Sequence, residues 1–130
     1  MRILLDTHVL LWALSTPERL SDEAIQAIHE SDDVLFSAAS IWELAIKARL
    51  GHRDFLVQPL EILAEAVDIG FIELPVNSAV AATVGTLPLL HRDPFDRLLI
   101  AQAIAEPAVL FTADRQLAAY SDLVKQVGAR

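Results

Sequence analysis

The chain has 130 residues, 54% of them hydrophobic, no cysteine, and a net charge of −8 from 10 basic and 18 acidic side chains. That length suits one domain, residues 1–130, with one core. Without cysteine there is no disulfide and no thiolate chemistry, and the expected compartment is cytoplasmic. An acidic balance argues against passive nucleic-acid binding, which wants a basic face. No apolar run approaches the ~18 residues of a membrane span. Met1-Arg2-Ile3-Leu4-Leu5 meets Asp6 too soon for the apolar region of a signal peptide. The apolar excess suggests a partner surface.

The elements alternate along the chain. Ile3 to Leu5 reads as a short buried strand and Thr7 to Leu14 as a helix stopped before Thr16-Pro17. Ser21-Asp22-Glu23 opens a second helix, to about Glu30, with a cap and acids in its first turn. Val34 to Phe36 is a strand, and Ala38 to Leu50 a helix ended by Gly51. After a loop from His52 to Gln58, Pro59 starts a helix that runs to about Asp68 and ends at Gly70. Phe71 to Leu74 is a strand, Asn77 to about Gly85 a helix, and Thr86 to Arg92 a loop. Asp93 caps a helix that begins at Pro94 and is broken by Pro107. Val109 to Phe111, Arg115 to Tyr120 and Leu123 to Val127 complete the chain as strand, short helix and last strand. Strands alternating with helices predict an α/β fold with a mainly parallel central sheet covered on both faces. In such sheets sites form beyond the carboxyl ends of strands.

Four acids stand where water alone does not explain them. Asp6 and Asp114 each follow an apolar strand and should point into one crevice; each could also simply cap the helix that follows it. Ser40, Glu43 and Lys47 fall at i, i+3 and i+7 on an otherwise apolar helix, a narrow polar stripe that reads as facing a cleft. The bland alternative is a Glu43–Lys47 surface pair at i, i+4. Asp93 fits the cap position before Pro94, and Asp96 lies in the first turn, as dipole compensation or as a metal ligand. A divalent cation is the simplest thing that holds such acids together. Five of the 18 acids then belong to one site, and metal could bridge that site to a phosphodiester.

The segments Ile3-Leu4-Leu5-Asp6-Thr7-His8, Ser40-Ile41-Trp42-Glu43-Leu44-Ala45-Ile46-Lys47, His91-Arg92-Asp93-Pro94-Phe95-Asp96-Arg97 and Phe111-Thr112-Ala113-Asp114 resemble the PIN domain, most closely the VapC-type toxins of bacterial toxin–antitoxin pairs. The resemblance spans nearly the whole chain in order. It implies a three-layer α/β/α fold and a metal-dependent endoribonuclease with its acidic quartet on Asp6, Glu43, Asp96 and Asp114. His8 stands where many members carry Asn; both can hydrogen-bond a neighbouring carboxylate. It further implies a cognate antitoxin protein and a toxin that often forms a homodimer.

On that resemblance, RNA is hydrolysed by a metal-activated water. Asp6 and Asp96 hold Mg2+ or Mn2+; Glu43 and Asp114 orient water, hold a second ion or act as base. Thr7, Ser40, Asp93 and Thr112 support the ligands, and Lys47, Arg92, Arg97 and Arg115 are candidates for the RNA backbone. A receiver domain would need an acidic neighbour to Asp6, and a haloacid-dehalogenase-type phosphatase an Asp at position 8. The four histidines lack the paired spacing of a zinc site. The serious rival is a catalytically silent binding protein of the same fold, whose usual mark is a lost acid; none is missing. Trp12, Trp42, Phe55 and Phe71 are expected interface anchors. A partner peptide crossing the helices of Trp12 and Trp42 could deliver an Arg into the acids.

Overall fold

The computed structural model describes residues 1–88 and 93–127, apart from the Asp54 side chain. The expected loop after Thr86 therefore runs into residues that lie outside those described, and His91 and the candidate RNA contact Arg92 fall there. Five strands, β1 (Arg2–Leu5), β2 (Asp33–Ser37), β3 (Ile72–Leu74), β4 (Val109–Thr112) and β5 (Val124–Gln126), form one sheet in the order β3-β2-β1-β4-β5. Every pairing is parallel. The helices are α1 (Thr7–Ser15), α2 (Asp22–Glu30), α3 (Ala38–Arg49), α4 (Pro59–Asp68), α5 (Ser78–Thr83) and α6 (Pro94–Ala105).

Alternation along β1 builds two cores. Ile3 and Leu5 face one side, where Leu10 of α1, Ala24 of α2, Leu44 of α3 and Ile62 of α4 cover them. Leu4 faces the other side and packs with Leu35, Leu110 and the α6 residues Leu99, Ile100 and Ala103. The three-layer α/β/α arrangement is thus a consequence of strands that are apolar on both faces.

Helix ends follow the local chemistry. Ser21 Oγ accepts the Ala24 N–H, and Asn77 caps α5 in the same way. Gly51 and Gly70 follow α3 and α4 with φ of +72° and +100°, a backbone that side chains with a Cβ rarely adopt. Two spans differ from the sequence expectation. The helix from Asn77 stops at Thr83 and tightens into a 3-10 turn, Val84–Thr86, around Gly85. The loop from His52 to Gln58 contains a 3-10 turn, Arg53–Phe55, which drives Phe55 into the core. Phe55 and Phe71 are both buried, so neither is the interface anchor its residue type suggested.

The order places β1 between β2 and β4. Chain connections diverge to opposite sides of the sheet there, which makes the carboxyl ends of β1 and β4 the switch point of the fold. A receiver domain of flavodoxin-like order would have β1 beside β3 instead.

Candidate active site

Asp6 is the first residue beyond β1, and its backbone N–H still bonds the Phe111 carbonyl of β4 at 2.9 Å. Its side chain is therefore fixed at the switch point, 4% exposed. Oδ1 accepts the Val9 N–H at 2.8 Å, capping α1. Oδ2 accepts the Thr112 hydroxyl at 2.6 Å and the Ala113 N–H at 3.2 Å. Asp6 thus caps α1 through Oδ1, while Oδ2 is tied to the end of β4. All three donors are neutral. Burial pushes the Asp6 carboxyl above its ordinary range; the bonds from Thr112, Val9 and Ala113 and the charge of His8 oppose this without reversing it.

Thr112 is buried at the end of β4 and also accepts the Asp114 N–H at 3.1 Å. One hydroxyl thus ties Asp6 to the turn that carries Asp114. Asp114 caps the following 3-10 turn, Arg115–Tyr120, through the Gln116 N–H. Asp93 caps α6, accepting the N–H groups of Phe95 and Asp96 on Oδ1. The capping role expected for Asp93 holds, and Asp96 sits in the first turn beside it.

Glu43 is 3% exposed on α3. Thr7 Oγ1 lies 2.6 Å from Glu43 Oε1 and 3.0 Å from Ser40 Oγ. A hydroxyl has one proton to give, so Thr7 donates to the carboxylate and accepts from Ser40. Glu43 Oε2 is bound by the Lys47 ammonium. Partial burial pulls the Lys47 pKa down, but the hydrogen bond and charge of Glu43, with the charges of Asp93 and Asp96, raise it overall. The surface-pair alternative for Glu43 and Lys47 is therefore half right: the pair exists, but Glu43 is buried. The helix is inside out in this respect, with Ser40 and Glu43 buried and Trp42, Ile46 and Leu50 exposed.

Asp6, Asp93, Asp96 and Asp114 line one cleft of about 890 Å³. The basic side chains on its walls are Arg19, Arg53 and Arg115, and His8 and Trp12 supply aromatic wall. Arg115 stands where it was expected. Arg97 does not: its guanidinium turns away to the carbonyls of Val84 and Leu87 at 3.1 and 3.4 Å. Arg19 and Arg53, by contrast, were missed. Each lies in a short 3-10 turn far from any acidic motif, and only the tertiary fold brings them to the cleft. Ser40, Glu43 and Lys47 are not part of the cleft wall, so the polar stripe expected to face the cleft stands behind it instead.

Among the described residues, no three acidic or histidine side chains converge tightly enough to form a complete protein cage for a cation. The donor set instead suits a small hard ion that keeps most of its waters and takes one or two carboxylates. Asp6 retains acceptor capacity on Oδ1, which carries one hydrogen bond.

The sequence pattern of the PIN domain matches residues 3–123. This chain belongs to the PIN-domain family. Ribonuclease VapC22 of Mycobacterium tuberculosis is 36% identical over 116 residues, 88% of each chain, which makes this PIN domain one of the VapC type. Two solved structures share the fold at low identity. The crystal structure of VapBC2 from Rickettsia felis bound to a promoter DNA fragment has a TM-score of 0.69 and 16% identity, over 96% of this PIN domain and 98% of that chain. A toxin–antitoxin complex from Klebsiella pneumoniae has a TM-score of 0.68 and 18% identity, over 98% and 99%. No described helix is long and apolar enough to cross a membrane.

Proposed function

We propose that this chain is a metal-dependent endoribonuclease, the toxin of a toxin–antitoxin pair. The observation that carries the chemistry is the buried Asp6 carboxylate at the switch point, served only by neutral donors, in one cleft with Asp93, Asp96 and Asp114. The similarity to a ribonuclease at 36% identity supports RNA as the substrate.

In this reading Asp6 and Asp96 hold Mg2+ or Mn2+. When bound, such an ion supplies Lewis acidity that activates water and neutralises charge on the phosphate. Thr112 and Ala113 hold Asp6 as an acceptor aimed into the cleft, and Asp93 fixes the first turn of α6 from which Asp96 projects. Asp114 faces the same cleft from the β4 side, placed to orient water or to accept its proton. Glu43 stands behind Thr7, one residue from Asp6, and sets the charge and orientation of the site from the α3 side. Arg19, Arg53 and Arg115 meet the RNA backbone at the rim, so an acidic chain can still hold an anionic strand.

One of the structural relatives is a toxin–antitoxin complex, which supports an antitoxin protein as this chain's partner. The exposed apolar stripe of Trp42, Ile46 and Leu50 offers such partners, or a second copy, a surface to cover. The deciding experiment incubates the purified chain with total RNA, with and without Mn2+, beside Asp6→Asn. Metal-dependent cleavage that the variant lacks is the expected result. Intact RNA under all conditions would favour the silent binding protein.

A further inference from the structure

We propose that Lys47 is a positioning residue, a resident cation that fixes the Glu43 carboxylate and offsets the acid cluster, and not a contact for the RNA backbone. This rests on the metal-dependent ribonuclease reading above.

Four observations place it. The Lys47 side chain is 22% exposed, unusual for an ammonium beside an open cleft. Its Nζ binds Oε2 of Glu43, whose Oε1 is held by Thr7, so the carboxylate is gripped at both oxygens. The ammonium lies 4.9 Å from the ring centre of Phe55, a buried residue that His8 packs against at 4.9 Å. Swinging out toward a phosphate would forfeit both contacts. Finally, the charges of Asp93 and Asp96 reach it from α6, while the cleft wall itself is furnished with Arg19, Arg53 and Arg115.

Two consequences follow with opposite signs. Removing the ammonium frees Glu43, so cleavage slows. It also removes a positive charge that repels a divalent ion, so the ion binds more tightly. A contact to RNA would behave otherwise: strand affinity and its salt dependence would fall, with metal affinity unchanged. A purely structural role would lower stability without tightening metal binding.

The test compares the full chain with Lys47→Gln and Lys47→Arg. Mg2+ affinity is read without RNA from the melting temperature across a Mg2+ titration. Cleavage of total RNA is read in single turnover over a range of protein concentration. In Lys47→Gln the half-saturating Mg2+ concentration should fall several-fold, and the saturated cleavage rate should fall by roughly 10–100-fold, the usual cost of losing a group that orients a site residue. The half-saturating protein concentration should stay within about twofold, because no backbone contact is lost. Lys47→Arg, which keeps the charge, should recover most of the rate. Unchanged or weaker Mg2+ binding in Lys47→Gln overturns the proposal, as does a loss confined to RNA affinity. If Lys47→Gln is unfolded without metal, saturating Mg2+ should restore folding by replacing the lost charge; failure to do so also overturns it. A wild-type chain with no Mg2+ response defeats the metal reading and this proposal together. A responsive wild type with an identical Lys47→Gln response defeats this proposal alone.

Discussion

Thr112 donates its hydroxyl to Asp6 at 2.6 Å across 106 positions of sequence, and the same oxygen accepts the Asp114 N–H. Two carboxylates from the ends of two neighbouring strands are thereby set by one side chain. Thr112→Val keeps the shape and removes both bonds. It should cost roughly 1–3 kcal/mol of stability, since Asp6 Oδ2 and the Asp114 N–H lose a partner in a buried place. Cleavage should fall roughly 10–100-fold, while Thr112→Ser retains most of it. Urea unfolding and single-turnover cleavage check both; a Val variant that cuts at the wild-type rate would remove Thr112 from the site.

The second prediction concerns pH in the absence of metal. Burial raises the Asp6 pKa above its usual 3.8. A raised folded-state pKa means the folded chain holds this proton more tightly than the unfolded chain. The resulting stability is full below the ordinary carboxyl pKa and is lost as pH rises through the raised one. In chelator, wild type should therefore lose stability relative to Asp6→Asn as pH rises from about 4 toward neutrality. Urea midpoints of both chains across that range measure the difference. A flat difference would mean that Asp6 ionises without penalty.

Metal should reverse that penalty. Mg2+ or Mn2+ should raise the melting temperature, because the ion binds only the folded arrangement of acids. Asp96→Asn should lose most of the gain. An undiminished response in that variant would move the ion to another group.

Glu43→Gln sharpens the electrostatic picture. Treating Glu43 as one of several unpaired like charges leads to higher metal-free stability when it is neutralised. The structure reverses this sign: Glu43 is paired with Lys47, and Gln would leave a partly buried ammonium without its anion. Metal-free stability should drop by roughly 1–3 kcal/mol, with cleavage strongly reduced. A higher melting temperature would show that repulsion from the other acids outweighs the pair.

The sequence made the fold legible because its signals are local. Ser21, Gly51, Pro59, Gly70 and Asp93 each mark a helix end by chemistry that works within a few residues, and the structure honours all of them. Spacing alone also isolated Ser40, Glu43 and Lys47 as a stripe. What spacing could not give is the direction a residue faces when a helix is apolar on several sides. Trp42 on α3 is 61% exposed, whereas Phe55 and Phe71, which lie outside the α-helices, are buried. The basic wall was illegible for a related reason. Arg97 sits beside an acidic motif yet bonds carbonyls of another segment, whereas Arg19 and Arg53 reach the cleft from turns with no motif of their own.

A partner should cover the exposed stripe. Trp42 stacks edge-on against Phe95, one residue from Asp96, so a peptide lying across Trp42 would end near the acids. Co-expression with the neighbouring reading frame should yield a complex that no longer cuts RNA, and Trp42→Ser should weaken its copurification. A complex that cleaves as fast as the free chain would deny an inhibitory partner.

The most direct measurement is the initial rate of RNA cleavage across a Mn2+ titration, for chelator-stripped wild type and for Asp6→Asn and Asp96→Asn shown to be folded by circular dichroism. Wild type should be inactive when stripped and recover with Mn2+, while both variants stay at least about 100-fold slower at every concentration, as expected for lost transition-state charge stabilisation. Cleavage by the stripped wild type, or by Asp6→Asn at the wild-type rate, would contradict a metal-dependent nuclease centred on Asp6.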